Sequence, residues 1–200
     1  MGRAGVMTIL PSTYLPSIEL FSHIVKGDYI IDLGEHYIKR SERNRAEIMT
    51  ANGVMQLTVN ICRANRPRTP MSSVEIDYSK RWQHQHWMAI VSAYKSSPFF
   101  DYYADFLEPI FAAKYERLVD LNLALLREIM RLLGLPTDIK TSESYVDASD
   151  GDVDLRAKYR VTDREFKDYI QVFSDRHPFA SNLSILDLLF CEGTNVLSYL

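Results

Sequence analysis

Val6-Met7-Thr8-Ile9-Leu10 and Tyr29-Ile30-Ile31-Asp32-Leu33 are two short apolar runs separated by one helix-length segment. The first run reads as a strand bounded by Pro11. Pro11-Ser12-Thr13-Tyr14-Leu15-Pro16 reads as a turn, because each proline fixes its own φ and restricts the residue before it. A helix is expected next. Pro16 suits its first turn, Ile18, Phe21, Ile24 and Val25 recur at helical spacing, and Gly27 closes it. Tyr29 to Leu33 is then the second strand. Strand, helix, strand in this order is a βαβ signature. Ligands of such units gather at the carboxyl ends of the strands. The Ser12-Thr13-Tyr14 loop and the segment from Gly34 to Arg45 leave from those ends, so Tyr14 is expected near the second loop.

That second loop holds Tyr37-Ile38-Lys39-Arg40-Ser41-Glu42-Arg43-Asn44-Arg45, with four cations in seven residues. Downstream, Arg63, Arg66 and Arg68 add three more. From Lys39 to Arg68, seven Lys or Arg stand against Glu42 and Glu47, a local charge of +5 in a chain of net charge −3. The rest therefore carries −8. This asymmetry marks either an anion site or a solvated basic rim. As a site, Lys39, Arg40 and Arg45, joined by Arg63 or Arg66, would hold a phosphate or pyrophosphate, where arginine offers two parallel hydrogen bonds. Asn44 would orient it.

Glu47 to Thr50 and Val54 to Ile61 read as a hairpin about Asn52-Gly53, whose residues suit a type I′ turn. Met55, Leu57, Val59 and Ile61 alternate with polar residues, which predicts one buried face. Val74 and Ile76 suggest a short strand. Between Arg81 and Lys95, the residues Trp82, His86, Ala89, Ile90, Ala93 and Tyr94 share one helical face. His86 on that face is either a satisfied core histidine or a pocket acid/base. Pro98 to Lys114 reads as helical, with Pro109 starting a fresh turn, and Asp120 to Leu133 as the best helix, ended by Gly134 and Pro136.

Thr137 to Lys140 is a candidate strand, and Thr141 to Asp154 a loop rich in Ser, Asp and Gly. Asp147, Asp150, Asp152 and Asp154 lack the register of an EF-hand, so no metal is assigned. Tyr169 to Phe173 alternates like a strand. Ser184 with Asp187 three residues on resembles a capping box at the start of a helix ending at Gly193. Arg176 and His177, between that strand and that helix, are a second pair of binding or proton-transfer candidates.

At 200 residues, 46% hydrophobic and 24% charged, the chain is expected to be one globular domain over 1–200, with 1–6 an extension. An acidic balance disfavours a general nucleic-acid binder. Cys62 and Cys191 read as buried, inert thiols rather than a disulfide framework. The sequence carries neither a membrane-span-length apolar run nor a signal-peptide pattern, so the expected compartment is the cytoplasm. No cofactor or oligomeric state is assigned.

Several of these segments together are similar to the WbqC-like proteins of bacterial surface-polysaccharide gene clusters. They are Tyr14-Leu15-Pro16, Tyr37-Ile38-Lys39-Arg40 with Asn44-Arg45, and Asn52-Gly53 with Leu57-Thr58-Val59. Trp82 and His86, Ala93-Tyr94 with Pro98-Phe99, Asp120-Leu121-Asn122, and Leu183-Ser184-Ile185 with Asp187-Leu188 continue the likeness. It runs from about Met7 to the C-terminus and resembles a compact, Bacteroides-like branch. Leu10-Pro11-Ser12-Thr13 departs from the family, which usually has Gln or His-Gln before the first proline. The resemblance implies a role in assembly or decoration of O-antigen-like glycans, and it transfers no catalytic residue.

The resulting expectation is an α/β fold: a mixed sheet with a βαβ-like start, an antiparallel hairpin and several packed helices. The expected activity is group transfer to or from an activated sugar or glycan intermediate. Its partner would be a phosphorylated, nucleotide-sugar-like small molecule, with His86 or His177 moving the proton. The start is also similar to nucleotidylyl-transferase-like folds, but their paired histidines are absent and His23 stands alone. The alternative is a non-catalytic adaptor that binds RNA or protein through the basic rim.

Overall fold

The computed structural model describes residues 6–62, 68–157 and 164–200. Strand β1 (Thr8–Pro11), helix α1 (Ile18–Lys26) and strand β2 (Tyr29–Asp32) form the expected βαβ unit, with β1 and β2 parallel from Thr8↔Tyr29 to Pro11↔Asp32. Ile9, Leu10 and Ile31 are buried, as suits strands covered on both faces. Helix α1 begins after Pro16 and ends at Gly27, which takes the left-handed conformation with φ of 90°. Two short strands extend the sheet, β5 (Thr141–Ser142) beside β2 and β6 (Val153–Asp154) beside β1. The order is β5-β2-β1-β6, all parallel.

The hairpin is a separate two-stranded sheet, β3 (Arg45–Thr50) against β4 (Gly53–Thr58). Its turn is not type I′. Gly53 is left-handed at φ of 97°, but Asn52 is not, and the Thr50 hydroxyl donates to the Gly53 carbonyl at 2.7 Å to close the loop. The apolar face is buried only at its base. Leu57 and Val59 are buried, whereas Met55 near the tip is exposed.

Among the described residues, four further α-helices follow: α2 (Trp82–Tyr94), α3 (Phe100–Ala112), α4 (Leu118–Leu132) and α5 (Ile185–Glu192). Pro109 lies inside α3 rather than at a new start, and the helix ends three residues later. Three strand expectations fail. Thr137 to Lys140 is not a strand, and β5 begins one residue later. Val74 joins no ladder, and Glu75 and Ile76 make only isolated bridges, Glu75↔Arg117 and Ile61↔Ile76. Tyr169 to Phe173 pairs with no strand among the described residues. Its alternation has another cause, because Tyr169 and Gln171 point inward to a buried carboxylate while Ile170 is 81% exposed.

That carboxylate is Asp187 on α5. It does not close a capping box. The Ser184 hydroxyl accepts from the Leu186 N–H, and Asp187, fully buried, accepts from Tyr94 Oη at 2.7 Å, Tyr169 Oη at 2.6 Å and Gln171 Nε2 at 3.0 Å. Tyr94 in turn accepts from the Met49 N–H on β3. One acid thus ties α5, α2, the hairpin and the 169–171 segment together. Burial pushes the Asp187 carboxyl up, against the pull of its three donors. Replacing Asp187 with Ala strands those donors, so urea denaturation should register a loss of roughly 3 kcal/mol or more, and Asp187→Asn a smaller one. Equal stability of the Ala variant would contradict this role.

Candidate functional site

The loops leaving β1 and β2 meet as the topology predicts. The Tyr14 N–H donates to the Glu42 carbonyl at 2.9 Å. Asn122 on α4, buried, donates to both Ser12 Oγ at 3.2 Å and the Arg43 carbonyl at 3.0 Å. The Gly34–Arg45 loop is folded around Arg43, which is 1% exposed and forms a two-pronged ion pair with buried Glu35. Arg43 also donates to Ser41 Oγ at 3.2 Å and to the Arg156 carbonyl at 2.8 Å. Burial pushes the Glu35 carboxyl up to about 7, with Arg43 opposing. Beside this pair, Arg156 bridges Asp32 (2.5 Å) at the end of β2 and Asp154 (2.6 Å) at the end of β6.

With Arg43 turned inward, Arg40 and Arg45 are left on the wall of a cavity of about 250 Å³. Glu42, Glu47, Ser17, Asn182 and Ser184 share that wall. Two helices begin here. Ser17 precedes α1 and Ser184 precedes α5, and the two serines face each other across an isolated antiparallel bridge. The segments satisfy each other: Ile18 N–H donates to the Leu183 carbonyl and Ile185 N–H to the Pro16 carbonyl. Asn182 Oδ1, not Ser17, caps α1 by accepting from the Glu19 N–H at 2.9 Å. Among the described residues, the Ser17 hydroxyl, on a residue only 8% exposed, has no hydrogen-bond partner, and neither has Arg45 Nε. Backbone strain collects at the same place. Leu15, Arg40 and Asn182 are left-handed, at φ of 49°, 58° and 57°, and all three line the cavity.

Other candidates take different places. Lys39 is exposed and is not on this wall. Arg63 and Arg66 lie outside the described residues. Asn44 is spent on structure: its Oδ1 accepts from Tyr37 Oη at 3.0 Å and its Nδ2 donates to the Val59 carbonyl at 2.9 Å. Tyr14 is fully buried, and its hydroxyl meets His86 Nδ1 at 2.9 Å. His86 is 6% exposed. Burial lowers the His86 pKa to about 4. His177 Nε2 bonds the Ala51 carbonyl at 3.0 Å, at the opposite end of the hairpin from Arg45. Arg176 is exposed beside Asp175. The basic stretch is therefore not a continuous rim, because Arg43 is internal and neutralised. Nor is the acidic loop only a solvated counterweight: Asp152 Oδ1 accepts from the Met7 N–H, and Asp154 pairs with Arg156. Cys191 is buried and Cys62 half-buried, and neither forms a disulfide.

The family profile of the WbqC-like proteins matches residues 12–162, which include both loops and the hairpin. This chain belongs to the WbqC-like protein family. It is also similar to the uncharacterized protein Rv1507c of Mycobacterium tuberculosis. The two are 28% identical over 228 aligned positions, spanning 97% of this chain and 96% of the relative. No solved structure matches. Among the described residues of this WbqC-like chain, no helix is long and apolar enough to cross a membrane.

The His86 ring should stay neutral far below the usual histidine range. An NMR titration should give a midpoint near 4. The sign follows: unfolded chains take up this proton below about 6.5, so stability held by neutral His86 is lost as pH falls from there toward 4. A midpoint at the unperturbed value would mean that the ring is open to water.

Proposed function

We propose that the Arg40/Arg45 cavity binds the phosphoryl end of a phosphorylated, hydroxyl-rich small molecule, and that the protein is an enzyme of surface-polysaccharide assembly acting on an activated sugar or glycan intermediate by group transfer. The observation that carries the reading is the meeting of two guanidinium groups, an unpartnered buried serine hydroxyl and two helix N-termini in one cavity. Each helix N-terminus contributes about half a positive charge. The backbone N–H groups there are mostly taken, so the anion contacts would come from side chains, with Arg45 Nε and Ser17 Oγ as donors already desolvated.

Two carboxylates on the same wall, Glu42 and Glu47, make the site unlike a bare phosphate cradle. They suit a ligand that also offers hydroxyl donors, as a sugar does. At about 250 Å³ the cavity is smaller than the roughly 300–1,000 Å³ usual for drug-sized ligands. It accommodates a sugar-phosphate-sized portion rather than a whole nucleotide sugar. The glycan pathway rests on the family resemblance and the group-transfer step on the ligand class.

The test is a thermal-shift panel of sugar phosphates and nucleotide sugars on the native protein, on Arg40→Ala/Arg45→Ala, and on Ser17→Ala. A ligand at about a hundred times its Kd should stabilise the native protein by roughly 2.7 kcal/mol. The double variant should lose that shift while keeping its unliganded Tm, because Arg40 is exposed and Arg45 Nε has no hydrogen-bond partner among the described residues. An undiminished shift in the double variant, or no shift with any phosphorylated sugar, would overturn the proposal.

A further inference from the structure

A second cavity, of about 400 Å³, opens between the start of α2 and the end of α3, and shares no wall residue with the first. Its floor is aromatic. Trp87, half-buried, lies with its ring centroid 5.4 Å from Phe111 and 6.3 Å from Phe100. Tyr78 is fixed beside it, because its hydroxyl donates to the Tyr115 carbonyl at 3.0 Å and accepts from the Tyr115 N–H at 2.9 Å. The rim is cationic. Lys80, Arg81 and Lys114 line it against one carboxylate, Glu108. The Lys114 ammonium stands 5.6 Å over the Tyr78 ring.

The cations are placed against ordinary helix electrostatics. Arg81 occupies the N-cap position of α2 and Lys80 precedes it. No side chain caps this end, and the first turn holds no acidic residue. Cations there face the positive end of the helix dipole, where acidic groups are favoured. The N-terminal turn is thus left with surplus positive charge, and a bound anion would relieve it. Aromatic surface beside this charge adds a second requirement, a flat ring that can stack on Trp87 or Tyr78.

We propose that this cavity is a binding site for a free nucleotide, with its phosphates at Lys80, Arg81 and the start of α2 and its base against the Trp87 and Tyr78 rings. The volume lies within the roughly 300–1,000 Å³ of small-molecule sites, enough for one mononucleotide. The site is independent of the Arg40/Arg45 reading, and either can fail without the other.

Trp87 supplies its own probe. The chain has two tryptophans, and Trp82 is 2% exposed, so fluorescence quenching by a ligand reports mainly on Trp87. The native protein is titrated with ADP, adenosine and inorganic pyrophosphate, and ADP binding is repeated by quenching and calorimetry on the native protein, Lys80→Glu/Arg81→Glu and Arg40→Ala/Arg45→Ala. ADP should quench saturably, with adenosine and pyrophosphate each weaker by roughly tenfold or more, since each lacks one half of the recognition. Lys80→Glu/Arg81→Glu should weaken the ADP quenching of Trp87 by roughly tenfold or more with its Tm retained, while that quenching persists in Arg40→Ala/Arg45→Ala whatever heat the first cavity contributes. The proposal is overturned if millimolar ADP does not quench, if pyrophosphate binds as well as ADP, if the Lys80/Arg81 reversal leaves the ADP quenching unchanged, or if only an oligonucleotide binds.

Discussion

A buried guanidinium needs partners for its donors, and Arg43 finds them for four of its five N–H groups within the protein. Its two-pronged pair with Glu35, its bond to Ser41 and its bond to the Arg156 carbonyl account for all three nitrogens. Burying such a pair costs each ion its hydration, and the cost is recovered only when the geometry and the remaining hydrogen bonds are complete. That condition dictates the course of the loop from Gly34 to Arg45. Glu35 must face Arg43 eight residues away, Ser41 must turn inward, and Arg156 must bring the C-terminal side of β6 against them. Gly34 allows the close approach this needs, since a Cβ there would lie 2.1 Å from the Tyr145 backbone nitrogen.

The exposed chemistry follows from the buried chemistry. With Arg43 inside, its neighbours Arg40 and Arg45 reach the adjoining cavity, and the loop turns through a left-handed residue at Arg40. The opposite wall is built by two other left-handed residues, Leu15 and Asn182, at the point where α1 and α5 begin. Non-glycine residues in that conformation carry strain of order 1–3 kcal/mol each, and persist where surrounding bonds hold them. Here Tyr14 to Glu42, Asn182 to Glu19 and Ser184 to Glu47 are those bonds. These bonds hold the cavity wall in place, which is a form of preorganisation.

The parts of the fold legible in the sequence are those with local causes. The βαβ start, the hairpin, and helices α2 to α5 follow from periodicity, Gly27 and Gly53. Strands β5 and β6 are two residues each in a polar segment, and only the waiting edges of β2 and β1 make them strands. Tyr169 to Phe173 misleads because alternate burial needs only an inward partner, here Asp187, and not a neighbouring strand. The site divides similarly. Composition locates the basic loop but treats Arg43 like Arg40, although one is a core residue and the other a wall. No local signal separates them, because Glu35 is brought opposite by the fold. The same holds for the start of α1, which is capped by Asn182 from the far end of the chain and not by the adjacent Ser17.

The claim on which this account turns is that the Arg43–Glu35 pair shapes the loop. It is tested most directly by hydrogen exchange of the Tyr14, Tyr37 and Asn44 amides in native protein and in Glu35→Leu/Arg43→Met. An apolar pair of this kind commonly leaves global stability unchanged or raised, so local and global opening can be told apart. The account predicts that these three amides exchange much faster in the variant while those of β3 and α4 keep their protection. Native protection of all three amides in the variant would mean that the loop holds its shape without the ion pair, and would contradict it.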